Sequence, residues 1–302
     1  MENTELNEAL ASNYMLVDLS FRAWGGERIN QSVTDEVVAA KHATADAGKF
    51  RMKLLASADA ELKAVRAQIV ALRSFVYSRT LPWTLNDEGA KKGSRLVATA
   101  DSFQFLADTN AMKKHFDQAV LDLQAVWDER VRQAITNLGS LADPSVYPTA
   151  AEVPNLFNVV ISLRPMPSVG DFARLSIPAH MAEALGNRLA AQTRLQVTNA
   201  MTDLRDRLVD EVQRMSVQLG KAGAGEKTRL YESMLTNTQS LCALARSMNL
   251  TGSSKFNELI EKIEQDLLRY PIDTLREDKA TATMVSDKAK QVLSEMSDVE
   301  WF

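Results

Sequence analysis

Cysteine and histidine are scarce in this sequence. The 302 residues contain one cysteine, Cys242, and three histidines. A single thiol excludes an internal disulfide and suits a reducing compartment. No histidine has a second histidine or cysteine three or four residues away, which argues against a structural zinc site, and no catalytic motif is present. A magnesium site made only of carboxylates leaves no such signature, so that alternative stays open.

Glycine and proline are also few, with 12 and eight residues. Because alanine, leucine, glutamate, arginine and glutamine are frequent instead, the composition favours helix. The hydrophobic fraction of 45% and charged fraction of 25% are typical of globular proteins. The net charge of −4 disfavours binding of nucleic acid by the whole surface, but it leaves room for a local basic patch.

Long apolar runs and targeting signals are absent from the sequence. The first residues are acidic, and the apolar run 14–19 is too short to cross a bilayer and contains Asp18. We therefore expect a soluble protein of the cell interior that has no membrane partner and needs no cofactor.

Helical spacing dominates the pattern of apolar side chains. A stripe of Leu62, Val65, Ile69, Leu72 and Val76 is one example, and Pro82 sets its downstream limit. Residues 80–95 are predicted to be a loop. Similar patterns predict helices at 32–47, 57–80, 97–138 (with a break near Asn110), 179–219, 227–248, 254–269 and 280–296.

Alternation of apolar and polar residues predicts three short strands, near 14–23, 157–164 and 171–177. The fold class is therefore mainly α: an elongated bundle of long antiparallel helices with a small antiparallel sheet. We divide the chain into 1–178, which holds the sheet, and 179–302, which begins with the long helix and packs with the first part as one body.

The predicted long helix has a seam of apolar residues that resembles a coiled coil. We expect this helix to pack along 97–138 and 227–248, or along a second copy of the chain. The following segment is similar to a phosphate-binding loop, because Gly220 and Gly225 have the separation that the two glycines of such a loop have. However, Glu226 separates Gly225 from Lys227, so we interpret the segment as a flexible connection between two helices.

Two segments are candidate binding sites. The 80–95 loop combines Trp83 with the cations Lys91, Lys92 and Arg95, a combination that can stack on a base and contact phosphate. The alternative is a solvated loop whose tryptophan folds onto the core.

The second candidate is the acidic C-terminal segment 297–302, which ends in Trp301 and Phe302. It has the character of a docking peptide for a partner protein. The alternative is that both rings pack back onto the domain.

A series of short motifs resembles a family of bacteriophage and prophage proteins of unassigned function. The resemblance covers about residues 14–220 and implies a phage protein that acts in the host cytoplasm, without carrying over any catalytic residue. The motifs are Trp24-Gly25-Gly26-Glu27-Arg28, Thr80-Leu81-Pro82-Trp83, Arg95-Leu96, Tyr147-Pro148, and Pro165-x-Pro167 leading to Gly170-Asp171-Phe172-x-Arg174.

Three functional hypotheses follow. The first is a non-enzymatic binding or assembly protein that self-associates or binds a protein partner through its helices. The second is a protein that binds single-stranded nucleic acid during phage replication or recombination. The third, ranked lowest, is an enzyme with a carboxylate–metal site.

Overall fold

The computed structural model describes residues 3–55, 59–83 and 93–298. The fold is mainly α with a minor antiparallel sheet, which confirms the predicted class. The helices of this described part are α1 (Asn3–Asn13), α2 (Gln31–Ala40), α3 (Ala60–Ser78), α4 (Ser102–Leu138), α5 (Val153–Leu156), α6 (Val169–Ala173), α7 (Ala179–Gly223), α8 (Glu232–Ser247), α9 (Ser254–Leu267), α10 (Ile272–Glu277) and α11 (Lys279–Asp298). The strands are β1 (Tyr14–Arg22), β2 (Glu27–Ile29), β3 (Arg51–Lys53), β4 (Leu81–Trp83), β5 (Ser94–Ala98) and β6 (Asn158–Pro165).

The main sheet has the strand order β4-β5-β1-β6. Two of the predicted strands, 14–23 and 157–164, correspond to β1 and β6. The third prediction was wrong, because residues 169–173 form helix α6. The backbone amide of Ser168 donates to a carboxylate oxygen of Asp171 at 2.8 Å, and this capping box starts a helix where alternation alone indicated a strand.

The prediction of a loop over 80–95 was also wrong at both ends. β4 and β5 pair antiparallel there, with Leu81 opposite Leu96 and Trp83 opposite Ser94. β5 continues the sheet by pairing with β1. Pro82 is tolerated because β4 lies at the edge of the sheet, where a missing backbone donor breaks no ladder.

The chain folds into two compact units, each assembled from separate stretches of sequence. Unit 1 comprises 1–18, 77–105 and 162–302, and unit 2 comprises 19–76 and 106–161. In unit 1, α7 packs mainly against α11 and also against α1, α6 and α8. The predicted packing of the long helix along 227–248 is therefore present as the contact with α8, whereas α11 is its principal neighbour.

The core of unit 2 contains the predicted stripe of α3, from Leu62 to Val76, which is buried throughout. In α4 the fully buried indole of Trp127 donates a 2.7 Å hydrogen bond to the carbonyl oxygen of Pro148. Its ring also meets Trp24 edge to face, with centroids 5.2 Å apart. A smaller two-stranded sheet, β2-β3, brackets α2.

The predicted connection between two helices begins later than expected: Gly220 and Gly223 belong to α7, whereas Gly225, with φ 75°, lies in the connection 224–231 to α8. Gly220 and Gly223 lie on the side of α7 that faces α11, where a methyl group on Gly223 would lie 3.0 Å from the backbone nitrogen of Thr283. The hydroxyl of Ser286 donates to the carbonyl oxygen of Ser216 at 2.9 Å nearby. These glycines therefore permit a close approach of two helices.

Candidate interaction surfaces

Trp83 and Arg95, two residues of the predicted nucleic-acid site, are buried in unit 1. Trp83 ends β4 and is 4% exposed, and Arg95, the second residue of β5, is 5% exposed. Neither the indole nor the guanidinium is open to a ligand in this arrangement. Lys91, Lys92, Trp301 and Phe302 lie outside the described residues, so the hypotheses that rest on them stay predictions.

Arg95 is held by groups from the end of α3 and the turn after it. Its Nε donates to the Thr80 hydroxyl at 2.6 Å, and a terminal nitrogen donates to the Thr80 carbonyl oxygen at 2.9 Å. The guanidinium lies 4.3 Å from the centre of the Tyr77 ring. Burial, with the nearby charge of Arg207, lowers the pKa of Arg95 to about 10, so the side chain keeps its charge at neutral pH.

Arg207 connects this region to α7. One of its terminal nitrogens donates to the carbonyl oxygen of Tyr77 at 2.9 Å, and the other forms a 2.6 Å ion pair with Asp203. The two arginines thus satisfy backbone carbonyls between α3 and β4 and join the β4–β5 hairpin to α7. This arrangement gives Arg95 a structural role within unit 1.

The N-terminal half of α7 has a second apolar stripe, on the side opposite its buried face. Met181, Leu185 and Leu195 are 48%, 38% and 56% exposed. With the exposed alanines 184 and 191 they recur at spacings of three and four residues, so they lie along one side of the helix over about 21 Å. This stripe was not predicted from the sequence, because the stronger buried seam lies on the same helix.

Charged residues lie on the same side of α7 as the apolar stripe. Arg188 lies within the apolar stripe, and Asp206 and Asp210 follow on the same side five and six turns further on. All three are exposed. No carboxylate in the described part of the chain lies within ion-pairing distance of Arg188. We refer to this side of α7 as the α7 outer face.

Glu211 is nearly buried on α7 and pairs with the exposed Arg214 at 2.6 Å. Burial raises the pKa of Glu211 above its ordinary value, although the charge of Arg214 opposes that shift. A carboxyl whose pKa is raised by folding stabilises the fold at acidic pH, and that contribution is lost as the pH rises through the raised value.

We therefore expect Glu211→Gln to have a higher Tm than the native chain at pH 7. The difference should shrink toward the ordinary pKa of glutamate, 4.5, and thermal melts from pH 4 to pH 8 measure it. Glu258→Gln removes an exposed carboxylate of a different helix, α9, and is the matched control. A larger gain in Tm at pH 4 than at pH 7 would contradict the predicted direction of the pH dependence.

Other chemistry in the described residues is limited. Cys242 is fully buried, and burial raises the pKa of its thiol to about 12, so it is not a nucleophile at neutral pH. Across residues 3–55, 59–83 and 93–298, no group of three or more histidine, cysteine or carboxylate side chains is arranged to hold a metal ion. None of the helices in those ranges has both the length and the apolar character that crossing a bilayer requires.

Comparison with known proteins assigns no family to the chain: no family model matches it, and neither the curated proteins nor the solved structures include a significant match.

Proposed function

We propose that this chain is a non-enzymatic assembly protein that self-associates through the α7 outer face. The single observation behind the proposal is an apolar stripe that remains exposed on a 45-residue helix whose other side is already packed. Exposed apolar side chains in a row, bordered by polar residues, are typical of protein interfaces. The phage origin and the host cytoplasm remain part of the proposal through the sequence resemblance.

The charges on the α7 outer face favour a second copy of the chain, in antiparallel orientation, as its binding partner. In a symmetric antiparallel pair centred near residue 197, Arg188 of each copy lies opposite Asp206 of the other, which within its own helix pairs with Arg205 at 2.9 Å. In this register the apolar stripe of each copy lies along residues 199–213 of the other, and the two Leu195 side chains lie close to the centre. A parallel pair in register would place like charges side by side. The alanines between the larger side chains allow close approach of two helices. A two-fold pair of this kind uses the same surface on both copies, as an isologous dimer requires.

Size-exclusion chromatography with light scattering tests this proposal directly. The native chain should run as a dimer at micromolar concentrations, and L185D/L195D should run as a monomer because it places four carboxylates in the interface. The matched control is Leu121→Asp, since Leu121 is 51% exposed on α4 and lies outside the face. A native chain that is strictly monomeric, or a control that dissociates equally, would refute the proposal.

Charge exchange tests the orientation. Arg188→Asp should weaken the dimer at least tenfold, which corresponds to the loss of about 1.4 kcal/mol. The double variant R188D/D206R restores opposite charges in the antiparallel pair and should recover the affinity. If the double variant is weaker than R188D, the antiparallel arrangement is wrong.

A further inference from the structure

One side of α3, in unit 2, combines several cations that lack acidic partners. Lys63, Arg66 and Arg73 are all exposed, and no acidic residue follows Glu61 in this helix. Within the described residues, no carboxylate lies within ion-pairing distance of any of the three. Arg132, an exposed cation of the same unit, instead pairs with a carboxylate of its own helix at 2.6 Å.

Aromatic rings from the end of β1 lie among these cations. The guanidinium of Arg73 is 4.9 Å from the centre of the Phe21 ring. Arg66 donates a 2.9 Å hydrogen bond to the carbonyl oxygen of Gly25, next to the half-buried Trp24. Because Arg66 and Arg73 are two helical turns apart, about 10.5 Å, they reach different groups of an extended ligand.

Trp24 is held in position by its contacts within unit 2. Its ring packs edge to face against the buried Trp127, and the chain turns after it at Gly26, which has φ +65°. A methyl group at Gly26 would lie 3.4 Å from the Trp24 ring and 3.5 Å from a terminal nitrogen of Arg66. Both distances are ordinary van der Waals contacts, so glycine is needed here for its positive φ, and the indole and the guanidinium lie against the same turn of backbone.

We propose that Trp24, Phe21, Lys63, Arg66 and Arg73 form a binding surface for single-stranded nucleic acid. The cations contact successive phosphates, while bases stack on the exposed part of the indole and on the outer plane of the Arg73 guanidinium. Stacking of this kind needs bases whose faces are open, which a duplex does not offer. The surface lies in unit 2, so this inference goes beyond the proposed self-association through α7 and does not depend on it.

Fluorescence anisotropy with labelled oligo-dT and oligo-U tests the proposal. The native chain should bind at low salt and lose affinity as salt increases, because cations that contact phosphates release counterions. The double variant R66Q/R73Q should bind at least tenfold more weakly. Its slope of log affinity against log salt should be shallower by about 1.4, from two lost contacts at about 0.7 each on a single strand.

A charge-matched control separates this surface from general electrostatic attraction. K113Q/R132Q removes one half-buried and one exposed cation of α4, each of which pairs with a carboxylate, so it changes the net charge equally. It should keep at least half of the native affinity, and circular dichroism should show that both variants are folded. Phe21→Leu should weaken binding several-fold with an unchanged salt slope, since it removes a ring and no charge.

Three results would overturn the proposal. The first is a native chain that does not bind either oligonucleotide at low salt. The second is an equal loss of affinity in R66Q/R73Q and in K113Q/R132Q. The third is competition by duplex DNA as effective as competition by the single strand, because that would exclude stacking. Since L185D/L195D leaves unit 2 unchanged, it should bind oligo-dT whether or not the chain forms dimers.

Discussion

Trp127→Ala is expected to lower the free energy of unfolding by about 4 kcal/mol, because it removes a large, completely buried side chain. Trp127 is 0% exposed and is one of the largest buried residues of the chain. Its removal leaves a cavity, takes away the edge-to-face partner of Trp24 and leaves the Pro148 carbonyl oxygen without its donor. Cavity formation and an unsatisfied acceptor add to the loss of apolar burial.

Two further variants separate these contributions to the loss of stability. Trp127→Phe keeps much of the apolar volume and loses the indole donor, so it should cost about 2 kcal/mol. Leu121→Ala changes an exposed position of the same helix and should stay within about 0.5 kcal/mol of the native chain. Urea unfolding followed by far-ultraviolet circular dichroism measures all three. Equal midpoints for Trp127→Ala and Leu121→Ala would contradict the predicted packing.

The helices were predictable because their stripes are made by side chains that the fold buries. The stripe of α3 is the clearest example, since each of its five predicted residues is buried. Helix ends were less accurate. α2 stops at Ala40 and not near residue 47, and His42 then has φ 52°. α1 was missed because its apolar pattern is weak and its stability comes from contacts with α7.

The sheet was only partly predictable, because strand pairing depends on residues far apart in sequence. β1 and β6 have clear alternation, whereas β4 is three residues long and contains Pro82. A three-residue segment has no measurable period, so its strand state comes from pairing with β5. The opposite error at 171–177 arose because a short capping motif outweighed alternation.

The candidate surfaces followed less from sequence than the fold did. Trp83 and Arg95 are close in sequence to Lys91 and Lys92, but proximity in sequence did not predict that β4 and β5 bury both side chains. Phe21 and Trp24 are 42 to 52 residues from Arg66 and Arg73 in the chain. The sequence contains one relevant pattern, a helix with three cations and no acidic residue after Glu61. That pattern indicates a binding surface only when the fold places the two aromatic rings beside the cations.

Gly223→Ala is expected to destabilise unit 1 by about 2 kcal/mol, although alanine is the better helix former. The added methyl group would lie 2.2 Å from the hydroxyl oxygen of Thr283 and 3.0 and 3.2 Å from its backbone nitrogen and α-carbon. The hydroxyl can rotate away, but the backbone of α11 cannot, so the two helices must separate locally. Gly25→Ala, where no atom lies within 4 Å of the new methyl group, is the control and should be close to neutral.

A double-mutant cycle with Thr283→Ala tests this explanation. Thr283→Ala removes the nearest clashing atom and leaves the two backbone contacts, so G223A/T283A should recover part of the stability that Gly223→Ala loses. The coupling between the two positions should therefore be favourable, by about 0.5 to 1 kcal/mol. Because both changes lie at the contact between α7 and α11, additive effects would mean that the helices are already apart at this end. Full recovery would mean that the threonine hydroxyl, and not the backbone of α11, sets the distance between the helices.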